Sequence, residues 1–410
     1  MILKTEEQLL QFTKETEKIL IYGVAAVWNP MMRFFTQNQV SIAGIVSEEN
    51  YEKSYFGFSV KALEEFANFR EKYGVVVCAR PQQQEELEKK AVEMGFSSVS
   101  VVDYELYLSI SWAENMHLDF LCGGFSKAGT TSLQSAFKKH PNIQLPINKE
   151  SYYLVWRDQY DNSPKRFKDR YFPELQEGKL IGNIEPAYSG KAVEAYECFG
   201  KYLKIILMLR NPIDATYSIF KMLMKNPNQG RQAMYYRKYG KFHVDMFNDF
   251  IEDYIFGGID DRYLYIKYVK EYMELFGKDQ VKLVIFEELI REPERVLNEV
   301  QDFVGAPRKK YKKLPRSNEG KFVSKNFPSA IINCALYKKK IAMKTASVKQ
   351  MKRYWKVANF VHKHTYVENA EKMSEKSREV LKDFYKDSVK ELSELSGRDF
   401  GEFWKDFQDC

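Results

Sequence analysis

Lys127 stands inside a turn of small and hydroxyl-bearing residues, Gly123-Gly-Phe-Ser-Lys-Ala-Gly-Thr-Thr-Ser132, which the apolar residues Leu118, Phe120 and Leu121 precede. A strand feeding such a turn and then a helix leaves backbone N–H groups unused at the helix start. With the helix dipole behind them, these groups favour a phosphate or sulfate. Gly123, Gly124 and Gly129 let the backbone bend closely around a ligand, and residues 130–139 have helical character. Gly124 and Gly129 are spaced as in the phosphate loop G-x-x-x-x-G-K-[ST], but Thr130 occupies the lysine position and Lys127 comes early instead.

A second segment has the same layout. Tyr202-Leu-Lys-Ile-Ile-Leu-Met-Leu209 is apolar and of strand length, and it runs into Arg210-Asn-Pro-Ile-Asp-Ala-Thr-Tyr-Ser218, where Pro212 and Asp214 suit a helix start. Arginine suits phosphate because its guanidinium stays charged and offers a fork of donors.

Taken in order, K-x-G-T-T-x-L around Lys127 and R-N-P-x-x-x-x-x-S from Arg210 resemble the sulfotransferases that use 3'-phosphoadenosine 5'-phosphosulfate (PAPS) as donor. The resemblance extends over residues 118–405 and implies a P-loop sulfotransferase fold with a central parallel sheet. It implies that Lys127, Ala128, Gly129, Thr130, Thr131 and Ser132 cradle the 5'-phosphosulfate, and that Arg210 and Ser218 hold the 3'-phosphate. Arg316, Ser317, Gly320 and Lys321 stand where the family closes a basic segment over that phosphate.

Lys149-Glu150 and Asn183-Ile-Glu-Pro-Ala-Tyr188 look like the carbohydrate sulfotransferases of heparan-sulfate type, which implies Glu150 as general base and a carbohydrate acceptor. Tyr152 replaces that group's histidine, Ile184 its lysine and Glu185 its threonine, and these departures bear on the acceptor rather than the donor. Lys127 would act on the leaving phosphate, 3'-phosphoadenosine 5'-phosphate (PAP) would be the product, and no metal is needed. Tyr188, Tyr152, Tyr153 and Trp156 are read either as lining a sugar cleft or as core, and His140, beside Pro141, as a helix end rather than a base. Two other readings stay open: a non-catalytic nucleotide- or glycan-binding scaffold, and a P-loop kinase, which would want a lysine after Gly129.

The elements that must position these groups follow from patterning. A length of 410 residues suggests two domains, here residues 1–112 and 113–410. The first alternates strands (18–26, 40–47, 75–79, 99–103) with helices (1–17, 60–71, 82–94) and resembles a small Rossmann-like parallel α/β domain. Gly23-Val-Ala-Ala-Val-Trp28 keeps only the first glycine of a dinucleotide fingerprint, so docking or substrate presentation suits this domain better than cofactor binding. Residues 306–330, with three prolines, read as a loop.

No apolar run reaches the about twenty residues a membrane span needs, and the first residues lack the order of a signal peptide. The expectation is a cytoplasmic protein with no membrane span. Five scattered cysteines agree with reduced thiols and supply no metal site. The net charge of +7 is concentrated in residues 308–313 and 337–356. Three readings compete for these lysines: anionic donor and glycan, nucleic acid or membrane surface, and a solvated helix face. Without a nucleic-acid-binding signature, the solvated face with some steering of anionic substrate is favoured.

Overall fold

The computed structural model describes residues 1–49, 54–156, 163–225, 230–311, 322–342, 348–368 and 371–408. Contacts divide the chain into two units. One comprises Met1–Phe120, Gln144–Asn183 and Lys191–Leu203, the other Leu121–Ile143, Ile184–Gly190 and Lys204–Cys410.

The first unit is built on β1 (Ile2–Leu3), β2 (Lys18–Gly23), β3 (Ile42–Val46), β4 (Ser54–Tyr55), β5 (Phe58–Lys61), β6 (Tyr73–Cys78) and β7 (Val99–Val102), in the order β1-β7-β6-β2-β3-β5-β4. All pairings are parallel except β4 with β5. Between the strands come α1 (Glu6–Lys14), α2 (Ala25–Gln37) and α3 (Pro81–Glu93), and α4 (Tyr104–Glu114) follows. Strand alternation sorts the core: Ile19, Ile21, Ile45 and Val76 pack with α1, α2 and α4, whereas Leu20, Tyr22, Val75 and Val77 pack with Leu63 and α3. The expected helix over residues 60–71 divides instead. Val60 pairs with Ile45 in β5, and Leu63–Phe69 forms a 3₁₀ turn whose Phe66 ring occupies the space a Gly44 side chain would need. At the switch between β2 and β6 a Cβ on Gly23 would lie 1.9 Å from the Cys78 carbonyl, so that glycine serves strand packing.

Further along come β8 (Phe120–Cys122), α5 (Thr130–Phe137), β9 (Ile143–Gln144), α6 (Pro164–Tyr171), β10 (Leu180–Ile184) and α7 (Ala192–Phe199). The second unit continues with β11 (Lys204–Leu209), α8 (Pro212–Lys225), α9 (Gly230–Tyr239), α10 (Met246–Phe250), α11 (Tyr265–Phe276), β12 (Val281–Ile285), α12 (Phe286–Arg291) and α13 (Pro293–Val304). Next are β13 (Phe322–Ser324), α14 (Phe327–Ala342), α15 (Val348–Thr365), β14 (Tyr366–Glu368) and α16 (Glu375–Ser396). β11 runs parallel to β12, Ile205 opposite Val281 and Leu209 opposite Ile285. On its other side the chain leaving β8 joins it, Gly123 N–H donating to Ile206 (3.0 Å) and Phe125 N–H to Met208 (2.9 Å). Both motifs therefore leave neighbouring parallel strands at the same end of the layer.

Part of the segment expected to be a loop is ordered structure. Val323, buried, pairs antiparallel with Val367, Ser324 Oγ donates to the Lys225 carbonyl at 3.0 Å, and α14 begins at Phe327. A partner strand more than forty residues away in the chain outweighs local turn preference. The proline at 293 opens α13 and separates it from α12.

Candidate anion-binding site

α5 begins after Gly129, whose φ of 89° a side chain would resist, and Lys127 also has positive φ, 66°. The three loop glycines owe their identity to the protein behind them rather than to ligand approach. A Cβ would lie 2.5 Å from the Phe286 ring at Gly129, 2.9 Å from the Tyr272 hydroxyl at Gly123 and 3.3 Å from Leu207 at Gly124. The loop is pressed against β11, α11 and α12, and only glycine leaves room.

That packing also orients the loop's polar groups. Tyr263 Oη–H donates to the Ser126 carbonyl at 3.0 Å, and Arg210 donates from an Nη to the Lys127 carbonyl at 3.1 Å. With these carbonyls occupied, the N–H groups of Ser126, Gly129 and Thr130 have no acceptor among the described residues. Unused amides in a turn at a helix start form an anion-binding concavity. Ala128 and Thr130 are buried, and Lys127, Thr131 and Ser132 are half-buried.

Arg210 is held from three sides: its carbonyl accepts from Tyr265 Oη at 2.8 Å, its guanidinium lies 5.0 Å over the Phe286 ring, and one Nη is used on Lys127. Its remaining donors, Nε–H and the second Nη, have no partner among the described residues. Ser218, half-buried on α8, likewise makes no hydrogen bond to a described side chain. One turn beyond it is Lys221, which sequence reasoning missed. Its ammonium lies 4.8 Å over the Tyr217 ring, and its pKa is lowered by burial first and by the Arg210 charge second, with Asp214 opposing. Two cations with little counter-charge within reach make a place for a multivalent anion. A lysine three residues after the motif serine was the available signal.

The start of α8 is clamped so that Arg210 cannot drift. Asn211 Oδ1 accepts from Ile213 N–H (3.0 Å), a side-chain cap, with Pro212 in the first turn. Asn211 also donates from its backbone to Glu287 (3.1 Å) and from Nδ2 to Asp406 (2.7 Å). Arg378 forks onto Asp406 at 2.6 and 2.7 Å and reaches Asp214 at 3.1 Å. Burial alone would raise the Asp406 pKa, but the Arg378 and Asn211 hydrogen bonds outweigh it and hold the carboxyl below its usual range. Glu287 goes the other way: burial raises it, against the Asn211 N–H and Trp404 Nε1 bonds.

Glu150 belongs to the first unit, Lys127, Arg210 and Ser218 to the second. Glu150 is exposed, has φ of 64°, accepts from Tyr152 Oη at 3.2 Å and lies 3.8 Å from the Lys149 ammonium. Of the aromatic candidates, Tyr153 and Tyr188 are core. Tyr153 stacks on Phe167, and Tyr188, fully buried, accepts from Tyr272 Oη through its carbonyl. Tyr152 and Trp156 are half-buried and stacked on each other, ring centroids 5.2 Å apart. Glu185 is fully buried, its N–H donating to the Cys122 carbonyl at 2.9 Å, so this departure from the motif is a carboxylate beside the loop strand. His140 is buried, accepts from Asn142 N–H through Nδ1 and donates from Nε2 to the Pro307 carbonyl at 2.9 Å, which occupies both nitrogens. Arg316, Ser317, Gly320 and Lys321 lie outside the described residues. Among the described residues no cluster of His, Cys, Asp or Glu could hold a metal ion, and no helix is long and apolar enough to cross a membrane.

Residues 193–394 match the sulfotransferase domain family. A stretch of 104 residues is 32% identical to the membrane-associated sulfotransferase kil1 of Dictyostelium discoideum; it covers 24% of this chain and 22%, about a fifth, of that protein. Among solved structures, the chain is similar to a sulfotransferase from Alicyclobacillus acidocaldarius, with 19% identity, 70% of this chain and 99% of that one covered, and a TM-score of 0.46. It is also similar to mouse sulfotransferase SULT7A1 complexed with PAP, with 17% identity, 49% and 64% covered, and a TM-score of 0.33.

Proposed function

We propose that this chain, whose residues 193–394 match the sulfotransferase domain family, transfers a sulfuryl group from PAPS to a hydroxyl or amine of a carbohydrate. One observation carries this reading: the Arg210 side chain bonds the Lys127 carbonyl, so unpaired donors of both motifs border one place. The amides of Ser126, Gly129 and Thr130, with the Thr130 and Thr131 hydroxyls and Ser132, take the 5'-phosphosulfate. Arg210, Ser218 and Lys221 take the 3'-phosphate, to which the family resemblance also assigns Arg316, Ser317, Gly320 and Lys321. The amides of Ser126, Gly129 and Thr130 and the remaining Arg210 donors, which have no partner among the described residues, fit a nucleotide with charge at both ends.

The donor, when bound, supplies an activated sulfuryl group on a phosphosulfate anhydride. The Lys127 ammonium stabilises the negative charge that grows on the departing phosphate, and the loop amides hold that phosphate in place. Glu150 accepts the acceptor's proton, and Tyr152 Oη, already bonded to its carboxylate, orients it. Cys78, Cys122, Cys198 and Cys334 are thiols, which supports a reducing, cytoplasmic compartment.

Calorimetry with PAP and with ATP, in the absence of magnesium, tests the donor site. Tight binding of PAP over ATP is expected, and preference for ATP would end the proposal. Glu150→Gln should keep PAP affinity and lose most turnover on a responsive glycan from a labelled-donor screen. Full turnover in that variant would remove Glu150 from the base role, and PAP binding without transfer to any glycan would favour a binding scaffold.

A further inference from the structure

Residues 327–365 contain nine lysines and arginines and no aspartate or glutamate. They include α14 and α15, which pack on each other through Tyr354 Oη donating to the Leu336 carbonyl at 3.0 Å and Thr365 Oγ1 donating to Asn333 at 2.8 Å. Tyr354, Ala358 and Thr365, all buried, define the inward face of α15. The opposite face carries Lys352, Arg353, Lys356 and Lys363, all exposed. In their midst Phe360 is 67% exposed, with Lys356 one turn before it and Lys363 one turn after; Val357 is 58% exposed and Trp355 38%. No ion pair joins these cations to a carboxylate among the described residues.

A merely solvated helix face mixes charges of both signs and keeps large apolar groups few. This face does neither. We propose that the outward surface of α14 and α15 docks on a lipid bilayer rich in acidic headgroups, the lysines meeting the headgroups while Phe360 and Val357 enter the acyl boundary. Cations interleaved with aromatic and aliphatic groups on one helix face suit such an interface. A nucleic-acid duplex would satisfy the lysines but leave Phe360 and Val357 in water. A second copy of the same face would set like charges against each other. The surface is complementary in charge and in apolar character to an acidic membrane.

Flotation of the full chain with phosphatidylcholine vesicles, with and without phosphatidylserine, tests this. Binding is expected only with phosphatidylserine, weakening as salt rises. Each lysine near such a surface is worth about fivefold in partitioning, so Lys356→Gln with Lys363→Gln should lose at least about tenfold. Phe360→Ser should remove the binding that survives at physiological salt. PAP affinity and thermal melting, unchanged in these variants, would show that they fold. Three results would overturn the proposal: no discrimination between the vesicles, duplex DNA or heparin bound as tightly with Phe360→Ser neutral, or sedimentation showing self-association through Phe360 without vesicle binding.

Discussion

The guanidinium of Arg210 donates to the main-chain carbonyl of Lys127 at 3.1 Å, across 83 positions of sequence. The bond turns one peptide of the loop away from the space its N–H groups face, and it joins the two motifs through backbone rather than through side-chain charge. Arginine's fork allows one nitrogen to hold the loop while others remain for a ligand. Lysine has its donors on a single nitrogen and lacks that planar fork.

Arg210→Lys is therefore expected to behave as a loss. PAP affinity should fall by about 10- to 100-fold, as for hydrogen bonds to charged groups worth about 1.5–3 kcal/mol. Calorimetry measures this directly, and an unchanged dissociation constant would show that the remaining Arg210 donors meet no ligand.

Gly129→Ala adds a Cβ at φ 89° and 2.5 Å from the Phe286 ring. Destabilisation of about 1–3 kcal/mol is expected from strain and overpacking together. Combining it with Phe286→Leu should recover the packing part and leave the backbone part. Thermal melting of the two single variants and the double separates them, and strict additivity would mean that the ring is not what the Cβ meets.

Lys221→Met should weaken PAP binding by about five- to tenfold, since an ammonium near a phosphate is lost at partial exposure. The protein holds the Lys221 pKa below the ordinary lysine value, through burial first and Arg210 second. A bound phosphate would raise it again. The complex then holds more protons than the free protein, and affinity should fall as pH rises through the depressed value. Proton uptake on binding at alkaline pH, read by calorimetry in buffers of different ionisation enthalpy, should vanish in Lys221→Met.

Arg378 and Asp406 make a pH-dependent clamp. The folded-state pKa of Asp406 lies below its ordinary 3.8, so the pair's stabilisation is present above that value and is lost as pH falls through the folded one. Arg378→Met leaves a largely buried carboxylate without its cation, and the melting-temperature gap to the parent should be widest near neutral pH and shrink below about pH 4. A gap independent of pH would show that Arg378 contributes by packing alone.

His140→Ala should lower stability by about 1–3 kcal/mol, by leaving Asn142 N–H and the Pro307 carbonyl unpaired, while transfer per folded molecule stays unchanged. Loss of turnover with normal melting would instead make it part of the chemistry.

How much of this was legible beforehand differs by residue. Lys127 and Arg210 stand at strand-turn-helix boundaries, which are written locally in an apolar run, a glycine or proline and a polar first turn, whereas Ser218 came only from the resemblance of R-N-P-x-x-x-x-x-S to the family's motif. The sorting of β2 and β6 side chains to two faces of their sheet was equally local, since it follows from a period of two. Lys221 was overlooked although it stands three residues after the motif serine, and Glu185 was read only as a departure from a motif, because nothing near either in sequence announces its burial.

The sequence by itself determined which short segments become strands, loops and helix starts, and which carry the charges and donors an anion needs, because sterics and capping act within a few residues. Only the tertiary structure decided that Phe286, Tyr272 and Leu207 dictate the glycines and that Tyr263 and Arg210 claim the loop's carbonyls. It also decided that α15 presents Phe360 outward among lysines. Such outcomes depend on the register of β11 against its neighbours and on which surfaces meet across many tens of residues, and no local propensity encodes them.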